Sequence, residues 1–403
     1  MVILVAPYTG YNEDGKVDLG ASKKIRFVIS ALSRISKNIV LVNSAHNSVV
    51  RQPLCKRHIE IDGVHVTEIV LATRTSRPIG KLFNLLDGKK VLHALDDEIN
   101  AHGKPKLIWF YNAYSFEMVM AKVFFKKFFV PMILEFEDWH FSRNRGLNIK
   151  PWIDYYFWIK AVGLFSKVYA INSSVKARVY PYCKNVSLLP GVVPESLSKL
   201  PIESPPFDRA SNSIHIGYFG GLKSEKGADL VLELSQRLPK NYTIHVTGSG
   251  PLSAQFTEKA QSDAGKLIYH GMISDDELLR VISACDIILN PHVPISEFKD
   301  GLFPFKVIEA IASGRLLVST ELSFDGFEEL SHGIIFAKHS VDDFEKKILG
   351  ARQWFNEKKN SIVDSAAAAT KLFGEKSIVL SMKSLVANPD AVRPASLNET
   401  KHL

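Results

Sequence analysis

The sequence predicts an α/β protein built from two doubly wound domains, and three observations carry that expectation. Short apolar runs of strand length alternate with amphipathic helical stretches along most of the chain. The alternation breaks once, in a proline-rich stretch at 190–213, and then restarts. A length of 403 residues leaves room for at least two domains of roughly 100–200 residues.

In chain order, residues 2–6 form an apolar run of strand length, followed by a loop at 8–20 holding Gly10, Gly15 and Gly20. Ile25, Val28, Ile29, Leu32 and Ile35 then recur at helical spacing. Further buried strands are expected at 39–42, 107–111, 132–136, 168–171 and 186–189. Beyond the prolines, strands are expected at 214–219, 242–246, 286–289 and 316–319, with a helix over 228–238. Ser274 and Glu277 have the spacing of a capping box opening a helix that runs to Ala284. A helix over 305–313 stops at Gly314, the residue type favoured just past a helix end. The resulting plan is a Rossmann-like domain over 1–190, a linker over 191–212 and a second Rossmann-like domain over 213–365. Helices at 366–387 are expected to pack back on the first domain, and 388–403 to be a flexible tail. In such sheets ligands sit at the carboxyl ends of the strands.

Composition narrows the function only broadly. Apolar residues make up 46% and charged residues 23%, an ordinary globular balance. The three cysteines, Cys55, Cys183 and Cys285, lie far apart and suggest neither a disulfide framework nor a zinc site. The first apolar run is too short for a signal peptide, and no span of about 20 apolar residues occurs. A cytoplasmic protein is expected. The net charge of +8 suits an anionic partner or merely aids solubility. No RRM, zinc-finger or helix-turn-helix signature accompanies it, so nucleic acid is not expected.

Three segments carry candidate chemistry. Gly217-Tyr-Phe-Gly-Gly221-Leu-Lys223-Ser-Glu-Lys226-Gly227 is a strand running into a glycine loop and a helix start. Backbone amides there can approach phosphates, with Lys223 and Lys226 adding cations; an ordinary turn with solvated lysines fits the same pattern. Gly248-Ser-Gly250-Pro251 follows another strand, where glycines let a ligand approach the backbone. Lys299-Asp-Gly-Leu-Phe-Pro-Phe-Lys306-Val-Ile-Glu309 leads into a helix on which Lys306 and Glu309 are neighbours.

Taken in order, these segments resemble the donor-binding domain of the family 4, group 1 retaining glycosyltransferases. The family's "GRL..EKG", "GxGP" and "E…(F)…lEAmAsG" segments are similar to residues 220–227, 248–251 and 301–314. Further matches are Ile268-Tyr-His-Gly271, before Met272, and the run from Ala284 to Pro291. The resemblance implies the GT-B architecture, two Rossmann-like domains facing across a cleft. It assigns Lys226 to the donor phosphates, Glu309 to the ribose, and the backbone at Phe303 and Pro304 to the pyrophosphate. Met272 and Lys306 join that donor set. Two positions depart from the pattern. Gly221 replaces the family arginine, leaving Lys223 to supply the charge. Gly301 replaces the first glutamate of the E-x7-E pair, with Asp300 beside it.

In the amino half the loop after the first strand matches more loosely, with Gly20 nearest the donor. Leu134-Glu135-Phe136-Glu137-Asp138 sets three carboxylates at a strand end. A solvated strand end, a metal site and acceptor binding by Glu137 or Asp138 are all open. His140 follows this segment, either lining a cleft or simply hydrogen-bonded.

The resemblance thus implies transfer of a sugar from a UDP- or GDP-linked donor to a saccharide or lipid-linked saccharide, in surface polysaccharide synthesis. Catalysis would involve Glu137, Asp138 and Lys226, with no metal and no cofactor beyond the donor. A nucleotide-sugar epimerase, a phosphorylase or a non-catalytic relative would share the fold. Aromatic and basic residues interleave at 122–129 and 150–167, a pattern suited to an anionic membrane surface; in the bland reading the aromatics are core and the lysines face water.

Overall fold

The structure, a computed structural model, describes residues 1–10, 19–45, 53–73, 84–142, 149–200, 207, 212–262, 265–293 and 303–388. It divides into two compact units. The first takes in the chain up to Leu189 together with the helix Glu375–Ala387; the second runs from Pro190 to Gly374.

The first unit is built on β1 (Val2–Ala6), β2 (Ile39–Asn43), β3 (Cys55–Ile61), β4 (Val64–Val70), β5 (Ile108–Tyr111), β6 (Met132–Phe136), β7 (Lys167–Ala170) and β8 (Val186–Leu188). Their order across the sheet is β3-β4-β2-β1-β5-β6-β7-β8. The pairings are parallel except β3–β4. β1, β2, β5 and β6 are buried along their whole length, so they read as largely apolar runs and were legible as strands. The β3–β4 hairpin was not anticipated, because β3 is polar and largely exposed. Its signal is Asp62-Gly63, both at positive φ (49° and 77°), as a tight turn between twisted strands requires.

The second unit holds β9 (Ile214–Phe219), β10 (Tyr242–Thr247), β11 (Leu267–Gly271), β12 (Ile287–Asn290), β13 (Leu316–Thr320) and β14 (Ile334–Ala337), in the order β11-β10-β9-β12-β13-β14 and parallel throughout. The edge strands β11 and β14 were not expected as strands. One face packs Ile216, Tyr218, Ile244, Val246, Leu289 and Val318 against Leu234, Phe344 and Phe355 of the covering helices. In each sheet the strand order reverses beside its first strand, between β1 and β5 and between β9 and β12. Those reversals are the places where the loops after two strands diverge and leave room for a ligand.

Two segments differ from expectation. The helix Ala351–Phe373 is continuous and belongs to the second unit, so residues 366–373 do not travel with the returning helix. Gly374 ends it, and Glu375 then bonds Ser30 Oγ (3.1 Å) and Arg34 Nε (3.3 Å) of the helix Leu19–Ser33. The described part of the stretch expected as a linker is packed, with Val192 and Val193 buried. A side-chain carbon on Gly191 would stand 2.8 Å from Ile308 Cβ, so only glycine lets this segment lie on the helix Phe305–Ala312.

Candidate functional site

The reversal between β9 and β12 brings the loop after β9 beside the residues that follow β12. Lys226 closes a single turn, Ser224–Lys226, and Gly227 then takes φ 74° to open the helix Ala228–Arg237. A side-chain carbon on Gly227 would lie 2.0 Å from the Pro291 carbonyl oxygen, so the two loops meet backbone to backbone. Lys226 Nζ stands 3.0 Å from His292 Nε2. His292 Nδ1 lies 2.7 Å from the Val293 carbonyl oxygen. A carbonyl only accepts, which assigns the proton to Nδ1 and leaves Nε2 as the acceptor for the ammonium. Burial pushes His292 down to about 4, with the Lys226 and Lys306 charges acting in the same sense.

Lys306 sits in the first turn of the helix Phe305–Ala312, which carries no acidic residue there. Its Nζ lies 4.7 Å from the centre of the Tyr218 ring. The Tyr218 hydroxyl donates to Gly221 O (2.9 Å) and Lys226 O (3.2 Å), tying the ring to the loop. Burial raises this phenol above its ordinary value. Burial, then the Lys226 charge, push Lys306 down to about 7. Among the described residues no carboxylate forms an ion pair with Lys306. A lysine at a helix amino end also opposes the helix dipole. Two lysines and a helix amino end thus converge, an arrangement that favours an anion.

The glycine turns serve each other. Gly248 has φ 120°, and the place of its missing side-chain carbon is occupied by Gly220 O at 1.9 Å; Gly250 meets Leu222 O at 2.5 Å. These glycines admit the neighbouring turn. Gly221 has open space around it. Lys223 is exposed. Met272 is exposed just past β11, where Gly271 O accepts from Gly248 N at 2.8 Å. Glu309 is half-buried one turn after Lys306. Phe303 is buried edge-on against Phe324 and Phe327 (5.5 and 5.6 Å), so its side chain is core and its backbone leads into Pro304 at the helix start. Asp300 and Gly301 lie outside the described residues. Gly20 lies in the helix Leu19–Ser33.

In the first unit the acidic segment ends β6, and Lys24 meets two of its carboxylates. Lys24 Nζ pairs with Glu135 at 2.9 Å and with Glu137, at exposures of 1% for Lys24, 0% for Glu135 and 13% for Glu137. Trp109 Nε1 donates to Glu135 (3.0 Å). Asn112 Oδ1 accepts from the Glu137 amide (3.2 Å). Burial raises Glu137 to about 7, with Glu135 acting in the same sense and Lys24 opposing. This segment is therefore an internal ion cluster, and Lys24 is the member that sequence reasoning missed. Asp138 is half-buried, and its carbonyl accepts from the His140 amide (2.9 Å). His140 is buried against Tyr114, ring centres 4.4 Å apart, with Nε2 3.5 Å from Asp154. Among the described residues no cluster of His, Cys, Asp and Glu has metal-site geometry.

The aromatic and basic segments divide. Phe124, Phe128, Trp158 and Phe165 are core, whereas Phe129, Trp152 and Tyr156 are 58%, 56% and 57% exposed. Among the described residues no helix is long and apolar enough to cross a membrane.

Residues 213–352 match the family model described as "Glycosyl transferases group 1". No curated protein sequence matches the chain. Solved structures align over nearly its whole length. Sucrose-phosphate synthase from Thermosynechococcus elongatus is 14% identical with a TM-score of 0.65, covering 97% of this chain and 99% of that one. A glycosyltransferase from Rickettsia africae is 14% identical with a TM-score of 0.64, covering 96% and 99%. Anabaena HepE in complex with UDP is 13% identical with a TM-score of 0.62, covering 96% and 100%. These likenesses establish the fold, the GT-B fold of glycosyltransferases, and the group 1 match lies within the second unit.

Proposed function

We propose that the chain is a retaining glycosyltransferase of family 4, moving a sugar from a UDP- or GDP-linked donor to a saccharide or lipid-linked saccharide in surface polysaccharide synthesis. The observation that carries the donor is the pair Lys226 and Lys306 at the β9–β12 reversal, inside the group 1 match. The complexes of HepE with UDP and with UDP-glucose support a uridine nucleotide as the first donor class to try.

When the bond between the sugar and the diphosphate breaks, negative charge grows on the leaving oxygen. In this reading Lys226, Lys306, the amides of the loop after β9 and those near Phe303 oppose it. Glu309 holds the ribose hydroxyls. Glu137 or Asp138 meets the acceptor, Asp138 being half-buried and Glu137 13% exposed beside Lys24. The cationic side chains supply the charge that a divalent metal would bring, so no metal is needed. A donor panel of UDP- and GDP-sugars with saccharide acceptors, run in EDTA, tests this by measuring released UDP or GDP. Acceptor-dependent release in EDTA is expected. No release from any donor would refute the proposal, and conversion of the donor to an isomeric nucleotide sugar without release or acceptor would indicate an epimerase.

The exposed Trp152 and Tyr156 on the helix Lys150–Ile159, and Phe129 beside the exposed Lys126 and Lys127, suit docking on an anionic membrane surface. At low salt the protein should sediment with anionic liposomes more than with neutral ones; equal sedimentation would remove the membrane.

A further inference from the structure

We propose that His292 is a positioning residue for the donor diphosphate, its neutral ring aiming the Lys226 ammonium from behind. The inference rests on the donor reading above. The ring is 3% exposed. Its two nitrogens have different partners: Nδ1 faces Val293 O at 2.7 Å, and Nε2 faces Lys226 Nζ at 3.0 Å. The backbone on which it hangs is also fixed, since Thr320 Oγ1 donates to His292 O at 2.7 Å.

A neutral acceptor does what a carboxylate in the same place would not. It restrains a lysine with four rotatable bonds to one direction while leaving its positive charge intact for an incoming phosphate. A carboxylate there would fix the direction and cancel the charge. A protonated histidine would repel the ammonium. Among the described residues Lys226, Lys306 and Glu225 are charged groups acting on the ring, with burial and the two lysines favouring the neutral form that accepts. The sequence shows only a histidine after Asn290-Pro291, with nothing local to link it to a lysine 66 residues earlier.

Two substitutions separate this role from simple packing. In H292Q the longer amide can still reach Lys226. In H292N the shorter amide can still donate to Val293 O but falls short of Lys226. Titration of UDP and of GDP into the full chain by calorimetry should show binding weakened about tenfold in H292N and within about threefold of wild type in H292Q. Melting curves establish that both variants are folded. In a Lys226→Met background H292N should add nothing further. Equal affinities for H292N and H292Q would overturn the inference, as would a full H292N effect in the Lys226→Met background. Failure of the wild-type chain to bind either nucleotide would instead bring down the donor reading, and this inference with it.

Discussion

A side-chain carbon on Gly248 would stand 1.9 Å from the carbonyl oxygen of Gly220. The two glycine turns at the carboxyl ends of β9 and β10 are in backbone contact, and φ 120° at Gly248 is itself unfavourable for other residues. Gly248→Ala should therefore lower the melting temperature of the protein and weaken nucleotide binding together. Gly221→Ala, whose added carbon would meet nothing within 4 Å, should leave the melting temperature unchanged. Equal behaviour of the two variants in thermal melts would contradict the packing described.

Lys226→Ala and Glu309→Ala should each reduce turnover at least about tenfold while leaving the fold intact, because a charged hydrogen-bond partner of the donor is lost in each. Initial rates at subsaturating donor, with circular dichroism as the fold control, provide the check. Near wild-type rates in both variants would remove these residues from the donor site.

Lys306 should make donor binding dependent on protons. Its pKa of about 7 in the free protein lies below its ordinary 10.5, and a bound diphosphate must raise it. Binding at pH 8 then takes up a proton, and affinity falls as pH rises above 7. For stability the sign is the depressed-base one. Between pH 7 and 10.5 the unfolded chain holds more protons than the folded one, so this group's penalty is relieved as pH rises. Calorimetry of UDP or GDP binding in buffers of different ionisation enthalpy should reveal the uptake, and Lys306→Met should abolish it. Buffer-independent heats in the wild type would contradict the prediction.

The cluster at β6 calls for a different readout. Lys24→Met leaves Glu135 and Glu137 facing each other in the interior, and unfolding free energy should fall by about 3–5 kcal/mol. Glu137, raised to about 7 from 4.5, holds its proton longer in the folded state. The stability it contributes is therefore present at low pH and lost as pH rises from 4.5 through 7. Urea unfolding across that range should show this decline in the wild type and a flatter profile in Glu137→Gln. A Lys24→Met protein as stable as wild type would show that the cluster is not closed in solution.

The sequence by itself determined the two doubly wound halves, most of the buried strands, the capping box at Ser274 and the glycine turns after β9 and β10. Strand burial, helical periodicity and capping are short-range properties, written within a few neighbouring residues. Thus β6 and β9 were expected with the bounds they have, and Ser274 and Glu277 form both bonds of the box. The polar β3, which buries almost nothing, left only Asp62-Gly63 as a trace. Tertiary structure alone decided which polar side chains meet. Lys226, on the loop after β9, reaches His292 just past the neighbouring β12, and Lys24, on the helix Leu19–Ser33, reaches Glu137 just past β6 across 113 residues. It also decided that Phe124 and Trp158 are core while Phe129 and Trp152 face outward. Which face a side chain takes, and which partner it finds there, depends on packing between segments distant in sequence, and no local pattern contains that information.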